Sequence, residues 1–160
     1  MSTGSLIAKK VGTDRYRTIF CACDGYLSHN GKILSEYYTT PEQVEELLAL
    51  GDLYYLGAQF SHETNPERED SDVTLAFTRD YGDAEEKTRA KEFSLENLYD
   101  YDEASYIYIF AKPDKWIYCG PGELDEEFRD VKKALEFLET KESPEDCEEA
   151  QGEESPTLKL

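Results

Sequence analysis

Cys21-x-Cys23 places two thiols two residues apart in a stretch, Arg15 to Cys23, that alternates as a β-strand does. That spacing turns both sulfurs to one face of a strand. With Cys119, Cys147, His29 or His62 they would make a zinc site. The spacing is not the C-x-x-C of a structural zinc site, and small buried hydrophobes in a strand is the preferred reading. No metal is expected. His29 follows Asp24 by five residues, so the carboxylate would orient the imidazole for acid–base work. Neither histidine lies in a Ser-His-Asp order, a G-x-S-x-G, a P-loop or a G-x-G-x-x-G. No catalytic residue is assigned and no cofactor is expected.

Asp24-Gly25-Tyr26 is the most ordered polar signal. It stands where a predicted strand hands over to a helix, a place where function often sits. Read as a turn, Gly25 takes a positive φ and Asp24 bonds nearby backbone. Arg79-Asp80-Tyr81-Gly82 repeats the situation after another predicted strand. Arg79 is a rare positive charge there, and either holds an internal salt bridge or binds an anion. Tyrosines are in excess and come in pairs, Tyr37-Tyr38 and Tyr54-Tyr55. Exposed tyrosines beside carboxylates make a good protein-binding surface, since a ring supplies area at low entropy cost. The candidate binding residues are therefore Asp24, Tyr26, Tyr37, Tyr38, Tyr54, Tyr55, Arg79 and Asp80. Glu126, Glu127 and Asp130, from the acidic start of a predicted last helix, join them.

The elements that must position these residues read as an α+β fold. Ser5–Lys10 and Arg15–Cys23 form a hairpin around a four-residue loop, Val11-Gly12-Thr13-Asp14. Ser28 caps a helix near 29–38. Thr40, Pro41 and Gln43 make a capping box for a helix over 41–50, with Val44, Leu47 and Leu48 buried and Gly51 as its stop. The acid-rich stretch 61–72 is a loop, 73–78 a strand and 79–91 a loop. Ser94 caps a short helix through Tyr101. Tyr106–Phe110 and Trp116–Cys119 flank a turn at 112–115 as a second hairpin, dense in β-branched and aromatic residues. Leu124, Phe128, Val131, Leu135 and Leu138 recur at helical spacing and predict a helix over 123–140. The expectation is an antiparallel sheet of two hairpins plus one strand, packed by three to four helices, as one domain over 1–141. Residues 142–154 carry seven acids and no base, so 142–160 is expected to be a disordered acidic tail.

Composition bounds the function. Seventeen basic and 36 acidic side chains leave a net charge of −19. The acidity is uneven, with net −2 over residues 1–60, −8 over 61–120 and −9 over 121–160. Such a field repels phosphate, which argues against direct binding to nucleic acid or an anionic membrane. No apolar run approaches the ~20 residues of a membrane span. Twenty aromatic residues are too many for a fully disordered chain. No basic, apolar leader follows Met1, so a reduced, cytoplasmic setting with free thiols is expected.

Several stretches resemble a group of small bacteriophage and prophage proteins. These are Met1–Ile7, Phe20-Cys21-Ala22-Cys23-Asp24-Gly25-Tyr26, Gly31–Leu34 and Leu47–Leu56. Members of the group open M-S-T-R-S-L-I and carry Y-C-H-W-D-G-Y-P. Thr78–Asp83 is similar to their R-D-R-G-E stretch, and the hairpin from Tyr106 to Tyr118 also fits, so the resemblance covers residues 1–120. Gly4, Ala22, Cys23 and Leu27 stand where the group has arginine, histidine, tryptophan and proline. The resemblance implies an origin rather than a reaction, and the departures suit a scaffold reused for binding. The expectation is an acidic phage-encoded protein that inhibits a host nucleic-acid-binding protein, in anti-defence or host takeover, by mimicking nucleic-acid charge in the host cytoplasm. CRISPR effectors, restriction enzymes, histone-like proteins and RNA polymerase are the target classes. The alternatives are a small enzyme or ligand-binding protein with a site near Asp24, Tyr26, His29, Arg79 and Asp80, and a self-associating accessory phage protein.

Overall fold

The computed structural model describes residues 3–61, 73–121 and 128–141. The chain is a mixed α+β fold around one mostly antiparallel sheet of eight strands. The strands β1 (Ser5–Gly12) and β2 (Arg15–Cys21) pair antiparallel through a two-residue turn, Thr13-Asp14. This corrects the four-residue loop. A register shift between Lys10 and Gly12 absorbs the extra residue, and Asp14 takes φ +54, a conformation short polar side chains tolerate. The second hairpin, β6 (Tyr106–Lys112) and β7 (Lys115–Cys119), turns through Pro113-Asp114, again with the aspartate left-handed at φ +65.

The two hairpins join through β1 and β6, which run parallel from Ser5↔Tyr106 to Lys9↔Phe110. A connection this long lets the chain return in either direction. The spatial order is β4-β3-β2-β1-β6-β7-β8. Here β3 is Leu53–Tyr55, β4 is Leu75–Ala76 and β8 is Arg129–Asp130. β5 (Lys91–Phe93) lies off this path and pairs with β2. The free edge of β2 is thus shared. Its Tyr16–Thr18 end pairs with β5, while Cys21 pairs with Leu53 of β3. In the gap between them, the Phe20 N–H donates to Asp52 Oδ1 at 2.9 Å. Burial raises the Asp52 carboxyl above its usual range; this hydrogen bond and the nearby Lys91 hold it down.

Among the described residues, six α-helices accompany the sheet. α1 (Lys32–Tyr37) follows a single π-helical turn over Leu27–Gly31, where one regular helix was expected. Ser28 does not cap it. α2 (Pro41–Ala49) starts with the capping box of Thr40 and Gln43, and Gly51 ends it at φ +80. α3 (Phe77–Tyr81) and α4 (Glu85–Thr88) replace the end of the strand expected over 73–78 and the loop over 79–91. Asp80 Oδ2 accepts the Ala76 N–H at 2.7 Å and turns the chain into α3 straight after two strand residues. α5 (Leu95–Tyr99) is capped by Ser94, whose Oγ accepts from the Asn97 N–H. α6 (Val131–Lys141) starts later than the apolar spacing predicts. Asp130 Oδ1 accepts the Lys133 N–H at 3.0 Å and so caps α6, while Arg129 and Asp130 pair with β7. A short cap side chain thereby outweighs a continuous apolar stripe. The expected helix segment 123–127 and the expected tail 142–160 lie outside the described residues.

Strand alternation divides the core in two. Ile7, Ile19, Cys21, Tyr108, Phe110, Trp116 and Tyr118 face α1, α2 and α6 and build the larger core with Leu34, Val44, Leu47, Leu48 and Val131. Leu6, Ala8, Ile107, Ile109 and Cys119 face the other way and pack on Leu98 of α5. Among the described residues, no helix is long and apolar enough to cross a membrane.

Candidate functional site

β2 ends at Cys21 in the middle of the sheet, and the next five residues carry the chain over its end. Two contacts hold this passage. The Gly25 N–H donates to the Thr3 carbonyl at 2.8 Å, and the Tyr108 phenol donates to the Gly25 carbonyl at 2.7 Å. Gly25 is required by close approach and not by its φ. A Cβ there would stand 2.8 Å from Ser5 Cβ and from Thr3 O. It is Asp24 that takes the left-handed conformation, at φ +55. The π-helical turn begins at once. Such turns are rare, and they cluster where a side chain must be re-aimed.

This one re-aims His29 and Asn30. Asn30 is fully buried, and its Nδ2 donates to Ser5 Oγ of β1 at 3.1 Å. The same side chain lies near Cys21 and works against the rise of its thiol pKa. With Nδ2 turned to Ser5, Oδ1 faces His29 Nδ1 at 2.8 Å. Since an amide oxygen only accepts, Nδ1 carries the proton. In the neutral ring Nε2 then presents its lone pair to the Tyr55 phenol, 3.1 Å away on β3. Tyr26 and Tyr55 flank the imidazole with ring centroids 6.3 and 5.2 Å from it. His29 is thus oriented by Asn30, its neighbour in sequence. Asp24, the expected orienter, instead accepts a long 3.4 Å hydrogen bond from Tyr26.

β3 alternates across the sheet, so Tyr54 points away from the Tyr55 side. Tyr54, 44% exposed, packs edge-on against Phe77 and Tyr81 at 6.0 and 5.8 Å. Phe77 and Tyr81 stand four residues apart on α3, the spacing at which helical side chains meet, with centroids 6.2 Å apart. Tyr81 is 53% exposed. The Cys23 sulfur beside Tyr54 pushes its phenol above the usual tyrosine range, with Tyr81 adding to the effect. Exposed acids continue from this patch along Asp83, Glu85 and Glu86.

Of the other candidates from the sequence, Tyr38, Arg79, Asp80 and Asp130 make contacts within the fold. Tyr38 is buried, and its phenol donates to the Gly57 carbonyl at 3.2 Å. Burial raises its pKa, against a hydrogen bond from Thr74 and the nearby Arg79. Arg79 pairs with Asp80 at 3.1 Å, donates to the Thr74 carbonyl at 2.7 Å and lies over the Phe60 ring. These contacts hold its guanidinium within the fold. Asp130 caps α6 and meets Lys115 at 3.8 Å. Tyr37 is exposed, at some remove in sequence from both aromatic groups. Glu126, Glu127, His62 and Cys147 lie outside the described residues. Cys21 is buried and its thiol is pushed up to about 11 by desolvation, while Cys119 is buried against the opposite face of the sheet. Among the described residues no three potential ligands gather around a metal position.

The sequence reading missed Ser5, Asn30, Phe77 and Tyr81. The first two carried no signal beyond a His-Asn dipeptide, because their meeting depends on which strand lies under the π-turn. The Phe77/Tyr81 spacing was visible, but it has meaning only on a helix, and that stretch read as strand and loop. No protein-family model, no curated protein and no solved structure matches the chain.

Proposed function

We propose that the chain is a protein-binding module of bacteriophage or prophage origin. It occupies a basic, nucleic-acid-binding surface of a host protein in the host cytoplasm and inhibits it. One observation carries the reading. Tyr54, Phe77 and Tyr81 form an exposed aromatic cluster on a rigid strand and helix, bordered by Asp83, Glu85 and Glu86. Rings of this kind anchor protein interfaces. Surrounding carboxylates steer a negatively charged protein toward a basic groove and weaken in salt. The net charge of −19 supports the same partner chemistry.

The test uses the intact protein as bait in a bacterial lysate at low and high salt. The expected result is a stoichiometric nucleic-acid-binding partner that is released by salt and competes with nucleic acid for the bait. The double variant Tyr54→Ala/Tyr81→Ala should lose that partner. Recovery of no partner at either salt, or of one indifferent to nucleic acid, sinks the proposal.

A further inference from the structure

The second aromatic group, around His29, is not used by that binding surface. Its hydrogen bonds form a directed chain with a fixed polarity. Buried Ser5 accepts from Asn30 Nδ2, Asn30 Oδ1 fixes the proton on His29 Nδ1, and His29 Nε2 faces the Tyr55 phenol at 3.1 Å. The members sit on three anchored segments: Ser5 on β1, Asn30 and His29 on the π-turn, Tyr55 on β3. A hydroxyl donating to an imidazole whose far nitrogen is held by a side-chain amide is the arrangement that activates a nucleophile.

We propose that Tyr55 is a nucleophilic site for acyl transfer, with His29 as its base and Asn30 as the residue that positions the base. The substrate class is an activated carboxylic acid, such as an acyl imidazole. The Tyr55 oxygen attacks the acyl carbon as its proton passes to His29 Nε2. The bond from the acyl carbon to the leaving nitrogen breaks, and the leaving group takes that proton. The products are O-acyl-tyrosine and the free leaving group, with neutral His29 restored.

Exposure alone gives the opposite ranking, which makes the proposal testable. Tyr55 is only partly exposed, whereas Tyr26, Tyr54 and Tyr81 are 40, 44 and 53% exposed. The intact protein is treated with limiting N-acetylimidazole and each tyrosine is followed by peptide mass spectrometry. Tyr55 is expected to be acetylated faster than those three, by about tenfold or more. His29→Gln retains a hydrogen-bonding side chain but removes the base, and should bring Tyr55 below the exposed rings, with the melting temperature read alongside. Tyr55 reacting no faster than the exposed tyrosines in the wild-type protein overturns the proposal, whatever the variant does. Undiminished Tyr55 labelling in a folded His29→Gln protein overturns the role of the base.

Discussion

Two groups of aromatic side chains on this sheet meet opposite fates. Trp116, Tyr108 and Tyr118 are buried against α1 and α6, whereas Tyr54, Phe77 and Tyr81 gather at the surface beyond β3. Residue type does not separate them, since tyrosine dominates both. The polar tip does. Inside, Tyr108 donates to the Gly25 carbonyl, Tyr38 to the Gly57 carbonyl, and Trp116 Nε1 to the Tyr38 carbonyl at 2.8 Å. The Tyr108 and Trp116 tips tie the sheet to a loop and a helix end, the Tyr38 tip ties that helix end to the loop at Gly57, and Tyr108 thereby braces the passage that carries the candidate site. A ring is buried here where backbone stands ready to receive its donor, because an unpaired buried donor costs more than the ring gains by small adjustments of packing. The surface rings pack on one another, Tyr54 and Tyr81 stay about half exposed, and the Cys23 sulfur lies beside the Tyr54 phenol.

The largest effect expected from breaking this division is Trp116→Ala. The change empties a site that is 2% exposed, removes the contact with Phe110 at 5.3 Å and orphans the Tyr38 carbonyl. A loss of about 3–5 kcal/mol is expected. At roughly 2–4 °C per kcal/mol for a chain of this size, the melting temperature should fall by about 6–20 °C. Scanning calorimetry reads it. A fall under about 2 °C would mean that the tryptophan does not brace the core.

Alkaline pH probes the same interior without mutation. Burial raises the folded-state pKa of Cys21 to about 11 from 9.0. Below the unfolded value both states are protonated and the contribution is fully present. Between the two values the unfolded state holds fewer protons, so stability falls as pH rises. Two units correspond to about 2–3 kcal/mol. Tyr38 and Tyr108 are raised by burial too, and they extend the loss to higher pH. Urea unfolding at pH 8 and pH 11 checks this, and Cys21→Ala should remove the earliest part of the decline. Equal midpoints for wild-type and variant protein at both pH values would deny Cys21 its part.

Tyr108→Phe isolates one polar tip. The ring stays, and the Gly25 carbonyl loses its donor. The expected cost is about 1–3 kcal/mol. Because Gly25 leads directly into the π-turn, the His29 to Tyr55 hydrogen bond should loosen with it. Histidine and tyrosine resonances in the variant would report that, and unchanged resonances would separate the brace from the site.

The sequence carried this fold wherever a local rule decided it. The capping box at Thr40 and Gln43, the Gly51 stop and the dense hairpin at 106–119 needed no tertiary information. The misreadings have a common cause. Asp80 and Asp130 each start a helix by bonding backbone, at Ala76 and Lys133, where the apolar pattern argued for a strand continuing or a helix already running. The parallel β1–β6 pair and the Asn30–Ser5 contact depend on how distant segments meet. No spacing in the chain encodes either. The site was half legible for that reason: Asp24, Tyr26 and His29 announce a turn of consequence, but the partner that orients His29 had to come from the fold.

The surface group should give the smallest stability effect and the largest binding effect. Tyr54 and Tyr81 are about half exposed, so the double alanine variant removes ring-to-ring contacts and little buried area. Its unfolding free energy should stay within about 0.5–1 kcal/mol of the wild type. Its capture of a basic partner should nonetheless drop at least about tenfold, since interface energy concentrates in a few aromatic anchors. Neutralising Asp83, Glu85 and Glu86 together should act differently. It should slow association and flatten the salt dependence while leaving the dissociation rate nearly unchanged. If the double alanine variant unfolded as readily as Trp116→Ala, the exposed rings would be structural after all. The contrast between the two aromatic groups would then collapse into one core with a partly wet end.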